Sequence, residues 1–152
     1  MTAHTQAFQK ELFEEMKARI KEDDASLPYK LNGYFYITRF EKGKDYPIYT
    51  RKKDSLEAPE EILFDVNEMA KGHSYYNLRG ISVSPDNTMV SFGVDTLSRR
   101  KYTIYIKNLV TGKLMQEVIP LTTGGATWAN DNKTLFYAKK DEQTLRSNQI
   151  FK

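Results

Sequence analysis

Gly80-Ile81-Ser82-Val83-Ser84-Pro85-Asp86-Asn87, followed by Met89-Val90-Ser91-Phe92, returns as Gly125-Ala126-Thr127-Trp128-Ala129-Asn130-Asp131-Asn132, followed by Thr134-Leu135-Phe136-Tyr137. Gly80 maps onto Gly125, Asp86 onto Asp131, Asn87 onto Asn132 and Phe92 onto Tyr137, each 45 positions on. The register then slips by one, so that Arg100, Ile104 and Tyr105 map onto Arg146, Ile150 and Phe151 at a separation of 46. A weaker third copy lies earlier, with Phe35-Tyr36 standing for Phe136-Tyr137 and Ile48-Tyr49 for Ile150-Phe151. Asp86-Asn87 turns the first hairpin of the complete unit, because Asn and Asp tolerate left-handed backbone angles. Thr111-Gly112 turns its last.

A period near 45 residues with about four short strands per unit is the signature of a β-propeller blade. In the complete unit, strands are predicted at 80–84, 89–94, 102–108 and 114–119. The alternative is a generic antiparallel sheet with a chance repeat; turn and strand positions that match together favour the blade. A unit that starts at Gly125 would run to about position 170, whereas the chain ends at Lys152. The third unit is therefore expected to form three strands with an exposed edge. Roughly two and a half units are fewer than the four that a propeller needs to close, so the chain is expected to be part of a larger protein.

Outside the repeat, Phe8, Leu12, Met16 and Ile20 recur every four residues, with Phe13 beside them, and predict a helix over the first two dozen residues. Glu15 and Arg19 fall four apart on its polar face. Asp23-Asp24-Ala25-Ser26-Leu27-Pro28 ends it with turn formers and a proline. Beyond Pro28 the period changes to that of strands: 33–53 reads as a hairpin turned at Gly43-Lys44-Asp45, and 61–65 as a third strand. Positions 67–77 read as an inserted loop or a helical turn. The divisions are thus an N-terminal helical segment, 1–27, and a partial propeller, 28–152, with units at about 29–66, 80–120 and 125–152.

Composition removes several classes of function. Lys and Arg number 23 against 20 Asp and Glu, a net charge of +3, too small a balance to argue for nucleic acid or an anionic membrane. The chain has no cysteine, which excludes a disulfide framework, a thiolate metal cluster and a thiol nucleophile. No apolar run approaches the roughly 20 residues of a membrane helix. The start, Met1-Thr2-Ala3-His4-Thr5-Gln6, lacks the basic and apolar regions of a signal peptide. A cytoplasmic location is expected. Ten Tyr, eight Phe and one Trp make 12% aromatic residues, which favours β-structure.

The sequence resembles the N-terminal part of the oligopeptidase B (protease II) branch of the prolyl oligopeptidase family of serine peptidases. The likeness is carried by Tyr29, Asn32-Gly33-Tyr34, Asp45-Tyr46-Pro47-Ile48-Tyr49 and Ile62-Leu63-Phe64-Asp65-Val66-Asn67. It continues through Ser84-Pro85-Asp86-Asn87, Leu97-Ser98-Arg99-Arg100-Lys101-Tyr102, Asn108-Leu109, Thr111-Gly112 and Trp128-Ala129-Asn130-Asp131. The resemblance implies a mainly β fold: an N-terminal α-helix followed by about two and a half blades of a seven-bladed propeller. It implies a propeller that covers an α/β-hydrolase domain and restricts access to short peptides, which the oligopeptidase B branch cleaves after Lys or Arg. Seven units would occupy about 315 positions, so the hydrolase domain and its Ser, Asp and His are expected outside this chain. The implied partners are that domain, the remaining blades and, for the whole enzyme, short basic peptides.

The residues themselves offer little chemistry. No Gly-x-Ser-x-Gly elbow is present, and Ser84 before Pro85-Asp86 reads as part of a hairpin turn. His4 lies near the terminus and His73 in a loop after Lys71-Gly72; a lone imidazole without partners reads as a surface group. Two histidines without cysteine argue against zinc. Gly124-Gly125 reads as a connection between units, since no Lys-Ser/Thr and helix follow as in a phosphate loop. Arg51-Lys52-Lys53 and Arg99-Arg100-Lys101 read either as anion-binding clusters or, more simply, as solvated strand ends that protect an edge. Glu60-Glu61 and Asp141-Glu142 read as surface pairs or as attraction for a basic substrate. Trp128 reads as inner-strand packing. No catalytic, metal-binding or cofactor-binding residue is assigned.

The first function is thus a gating and docking segment of a serine oligopeptidase with no catalysis of its own. The second is a non-enzymatic propeller scaffold, and a third is a propeller peptidase of the dipeptidyl class. Fold alone does not separate them. The helix stripe adds a last expectation. Five large apolar side chains must fold back on the sheet, pair with a second copy or stay partly exposed, and self-association weakened by Leu12→Glu is expected.

Overall fold

Aromatic and β-branched residues dominate after Pro28, and their alternation builds two antiparallel sheets. The computed structural model describes residues 3–152; Met1 and Thr2 of the expected helical segment lie outside the described residues. The first sheet is a four-stranded meander of β1 (Tyr29–Leu31), β2 (Tyr34–Arg39), β3 (Ile48–Lys53) and β4 (Glu60–Asp65). Asn32 and Gly33 join β1 to β2 with φ of 46° and 81°, the double left-handed geometry that a two-residue hairpin turn demands. β1 is absent from the sequence reading, because three exposed residues carry no alternation.

Positions 66–69 take the second of the two readings offered for that region. They form a short helix, α2 (Val66–Met69), whose first turn is capped by the Asp65 side chain accepting from the Asn67 N–H. The second sheet follows with β5 (Asn77–Val83), β6 (Met89–Asp95), β7 (Tyr102–Asn108), β8 (Leu114–Trp128), β9 (Leu135–Lys140) and β10 (Ser147–Phe151). Its strands are hydrogen-bonded in the order β10-β9-β8-β7-β6-β5. The structure corrects one boundary here. The outer strand of the second unit and the inner strand of the third are a single element, β8, rather than two.

The sheet nevertheless divides into two leaves within β8. Its first half pairs with β7, through Lys107 with Leu114 and Tyr102 with Thr122, and its last residues pair with β9, through Ala126 with Tyr137. Between them Leu121 and Gly124 adopt φ of 58° and 87°, and the backbone turns back over the same unit. The close approach shows how far. A Cβ placed on Gly80 would lie 2.2 Å from the Gly124 carbonyl oxygen, and one on Gly93 would lie 2.3 Å from it. In a flat sheet β8 and β6 would be separated by the width of β7, so this contact exists only because the chain folds back.

The core lies where the first sheet meets the second. Tyr36, Leu63, Phe64 and Val66 face Leu78, Val90, Phe92 and Val94 in one buried cluster. The Phe64 ring meets that of Phe92 at 4.5 Å, and Phe92 stacks on Tyr105 at 5.8 Å. Each such side chain contributes about 1.5–3 kcal/mol when fully buried. Burial, with Tyr105 as a lesser contributor, pushes the Tyr76 phenol up to about 12.

At the N-terminus a single 3₁₀ turn (Ala3–Thr5) leads into α1 (Gln6–Ala18). The helix is shorter than its apolar period predicts and leaves Ile20 just beyond it, ahead of the turn-forming 23–28 segment. The expected Arg19–Glu15 ion pair forms. Phe8, Leu12, Phe13, Met16 and Ile20 are all 39–68% exposed, so the stripe does not fold back on the sheets. Among the described residues no helix is long and apolar enough to cross a membrane.

Candidate functional site

Turn residues at equivalent places in successive units are aligned on one another. Asn32, Asn87 and Asn132 all adopt left-handed φ, of 46°, 62° and 58°. The Asn87 side-chain amide donates to the Asn32 carbonyl at 3.0 Å, and the Asp86 N–H donates to Asn132 Oδ1 at 2.9 Å. Lower in the same interfaces, the Trp128 indole N–H donates to the Ser82 carbonyl at 2.9 Å and Lys107 Nζ to the Leu63 carbonyl at 3.1 Å. The two bonds between the second and third units join residues 46 positions apart. That is one repeat period, as stacking of like units requires.

Two of the acidic turn residues are held ionised by the turns themselves. Asp131 accepts from the Thr134 hydroxyl, the Thr134 N–H and the Lys133 N–H, which hold its carboxyl down to about 2. Asp86 is lowered in the same way, by the Ser84 hydroxyl first and then by the Thr88 N–H. These carboxylates are consumed by their own backbone and offer no proton near neutral pH.

The remaining residues singled out by sequence are scattered. Ser84 is fully buried, donates to Asp86 Oδ1 at 2.6 Å and accepts from the Met89 N–H at 3.0 Å; neither histidine is its partner. His73 is exposed, with its ring 5.4 Å from that of Tyr76, and His4 is exposed in the 3₁₀ turn. Gly124-Gly125 is the junction between units, as read. Among the described residues no group of three His, Cys, Asp or Glu side chains is placed to hold a metal ion.

The basic cluster at 51–53 needs a correction. Arg51 is not a solvated strand end: it is 5% exposed, its Nε pairs with Glu61 at 2.8 Å, and its guanidinium lies 4.1 Å from the Tyr34 ring centre. A long cation can occupy this interface only because an acid, a ring and the Asn87 carbonyl surround it. Lys52 donates to the Leu56 carbonyl at 2.8 Å and Lys53 is exposed. Glu61 and Glu60 are engaged by Arg51 and Arg39 and so are not a free acidic patch. Asp141 closes its own turn on Gln143 and Thr144. Trp128 is half-buried and lies outside the buried core cluster; its indole N–H donates to the Ser82 carbonyl of the preceding unit instead.

Sequence reading missed Asp95, Lys107 and Lys140. Asp95 is 1% exposed and collects three backbone N–H groups of the following loop. Lys107 borders a cavity of about 400 Å³ between the first two units, lined by Leu63, Phe64, Met69, Phe92 and Leu114; burial holds its ammonium below the ordinary lysine range. Its walls are mainly apolar, with the Asp65 and Glu68 carboxylates among them and no serine or histidine.

Four-stranded units stacked one period apart define a segment of a β-propeller. Residues 1–151 match the family described as prolyl oligopeptidase, N-terminal β-propeller domain, and the chain belongs to this propeller part of the oligopeptidase B and prolyl oligopeptidase serine peptidases. It is 41% identical to dipeptidyl aminopeptidase BI of Pseudoxanthomonas mexicana, over 91% of this chain and 21% of that one. It is 30% identical to protease 2 of Moraxella lacunata, over 87% of this chain and 20% of that one. The structure of oligopeptidase B from Leishmania major superposes with a TM-score of 0.89 at 33% identity, over 98% of this chain and 21% of that one. The propeller domain of the trilobed protease from Pyrococcus furiosus, at 12% identity and a TM-score of 0.52, shares the fold alone. The chain thus spans about a fifth of the length of the curated relatives it matches.

Proposed function

We propose that this chain forms the opening blades of the propeller of a serine oligopeptidase, where it gates substrate entry and docks against a hydrolase domain supplied elsewhere in the protein. Its residues provide none of the catalytic groups. The helical segment 1–27 and the partial propeller 28–152 are the two parts of that role, and the reading extends to a cytoplasmic location. The observation that carries it is the set of hydrogen bonds one period apart. Units built to stack on neighbours of the same kind belong to a longer array, and the family to which this array belongs is one of peptidases.

The substrate class in this reading is short peptides cut after Lys or Arg, supported by the likeness to oligopeptidase B. A second reading, release of dipeptides from a free N-terminus, is favoured by the 41% identity to a protein named dipeptidyl aminopeptidase. Kinetics on the intact gene product separate them. An N-blocked Arg amide is expected to be cut with a kcat/KM about 100-fold or more above that of a matched amide with Ala in place of Arg. Hydrolysis confined to free-amine dipeptidyl amides would select the second reading, and no hydrolysis of either would leave a non-enzymatic scaffold.

The same proposal gives the uncovered α1 stripe its cover in the rest of the protein. The isolated chain is then expected to self-associate as its concentration rises, and Leu12→Glu to weaken this severalfold by placing a charge among the apolar side chains. Sedimentation of both forms over a concentration series checks it; a wild-type chain that stays monomeric with α1 folded contradicts it.

A further inference from the structure

Between β6 and β7 the chain runs through Leu97-Ser98-Arg99-Arg100-Lys101, with both arginines exposed to solvent. An exposed pair of arginines is what a peptidase specific for basic residues reads as substrate. To be cut, however, a peptide must lie extended in the cleft, pair its N–H and C=O groups with the enzyme, and turn the scissile carbonyl toward an oxyanion hole. The backbone here is held in a different shape, and the groups that the enzyme would need are already taken.

Ser98 and Arg100 adopt left-handed φ of 56° and 55°, outside the extended region. The Leu97 N–H donates to Asp95 Oδ1 at 2.8 Å, and the N–H groups of Arg99 and Arg100 donate to Asp95 Oδ2 at 3.1 and 2.7 Å. The carbonyl of Arg100, at the scissile bond to Lys101, accepts from Lys140 Nζ of the third unit at 2.6 Å. Asp95 is itself 1% exposed, so water does not compete for its oxygens. One buried carboxylate and one lysine from the next unit therefore fix the dibasic segment from both sides.

We propose that Asp95 and Lys140 lock residues 97–101 in a form that peptidases specific for Lys and Arg do not cut, and that the lock guards this exposed dibasic loop against trypsin-like peptidases that the protein meets. The lock does not depend on the substrate class proposed above. Trypsin is therefore the probe, because it supplies the specificity independently of the parent enzyme. Digest the chain under native conditions and follow each cut by mass spectrometry.

In the wild-type chain, the bonds after Arg99 and Arg100 are expected to open about tenfold or more slowly than the bond after Arg19, where α1 ends exposed. Asp95→Ala should raise both rates by about tenfold or more, with Asp95→Asn between it and wild type, since the amide keeps one acceptor. Lys140→Met should raise the cut after Arg100 severalfold. The buried bond after Arg51 reports global unfolding. Should Asp95→Ala expose that bond as well, the surface variant Lys140→Met decides. Cutting after Arg100 as fast as after Arg19 in the wild-type chain, or rates unmoved by Lys140→Met and Asp95→Asn, would overturn the proposal.

Discussion

Gly93→Ala should destabilise the chain by about 3 kcal/mol or more, although it adds a single methyl group. The added Cβ would lie 2.3 Å from the Gly124 carbonyl oxygen and 2.4 Å from Gly124 Cα. Its three nearest neighbours are all backbone atoms of Gly124, and that backbone is where the chain folds back from the second unit into the third. Relief would need β8 to lift away from β6, which would strain the Thr122 hydroxyl bonds to the Tyr102 carbonyl and from the Gly124 N–H. Gly125→Ala, one residue along, meets nothing within 4 Å and should change stability by no more than about 0.5 kcal/mol. Urea unfolding of the three proteins gives the comparison. Equal midpoints for Gly93→Ala and wild type would mean that the units do not fold over each other as described.

The period of 45 residues is legible in the sequence because the turn chemistry repeats with it. Asp86-Asn87 and Asp131-Asn132 must each reverse the chain, and few residues do so at left-handed φ. The matching of Gly80 with Gly125 marks the same interface from two sides, since the 124–125 backbone packs on Gly80. Strand β7 shows its bounds for a similar reason: Tyr102–Asn108 alternates cleanly and is closed by turns. What stays hidden depends on partners distant in sequence. Arg51 resembles any surface cation until Glu61, Tyr34 and the Asn87 carbonyl surround it. The single span of β8 is hidden too, because a strand that bends through Leu121 and Gly124 looks in sequence like an ending and a new start.

The candidate site divides in the same way. Ser84 is legible as a turn residue from Pro85-Asp86 alone, and the structure places it there. The role of Asp95 is not legible, because a single carboxylate ahead of a loop has no pattern until its three donors are in place. The stacked turns, by contrast, gain meaning only in sum. Bonds between residues one period apart turn a repeat in the sequence into a physical array.

Covalent labelling of serine bears on the proposed division of labour between these blades and the rest of the protein, and its expected contrast is the largest of all. A serine attacks a fluorophosphonate only when a base takes its proton and oxyanion donors receive the new charge; losing that partnership costs on the order of a million-fold in rate. Ser84 has no such setting: it is buried, and its hydrogen bonds run to Asp86 and Met89. The measurement is the mass-spectrometric location of a fluorophosphonate adduct on the intact gene product, with the isolated 152-residue chain treated in parallel. The account predicts one labelled serine outside residues 1–152 and an isolated chain that stays unlabelled; an adduct on any serine within 1–152, formed at the rate of inactivation, would contradict it.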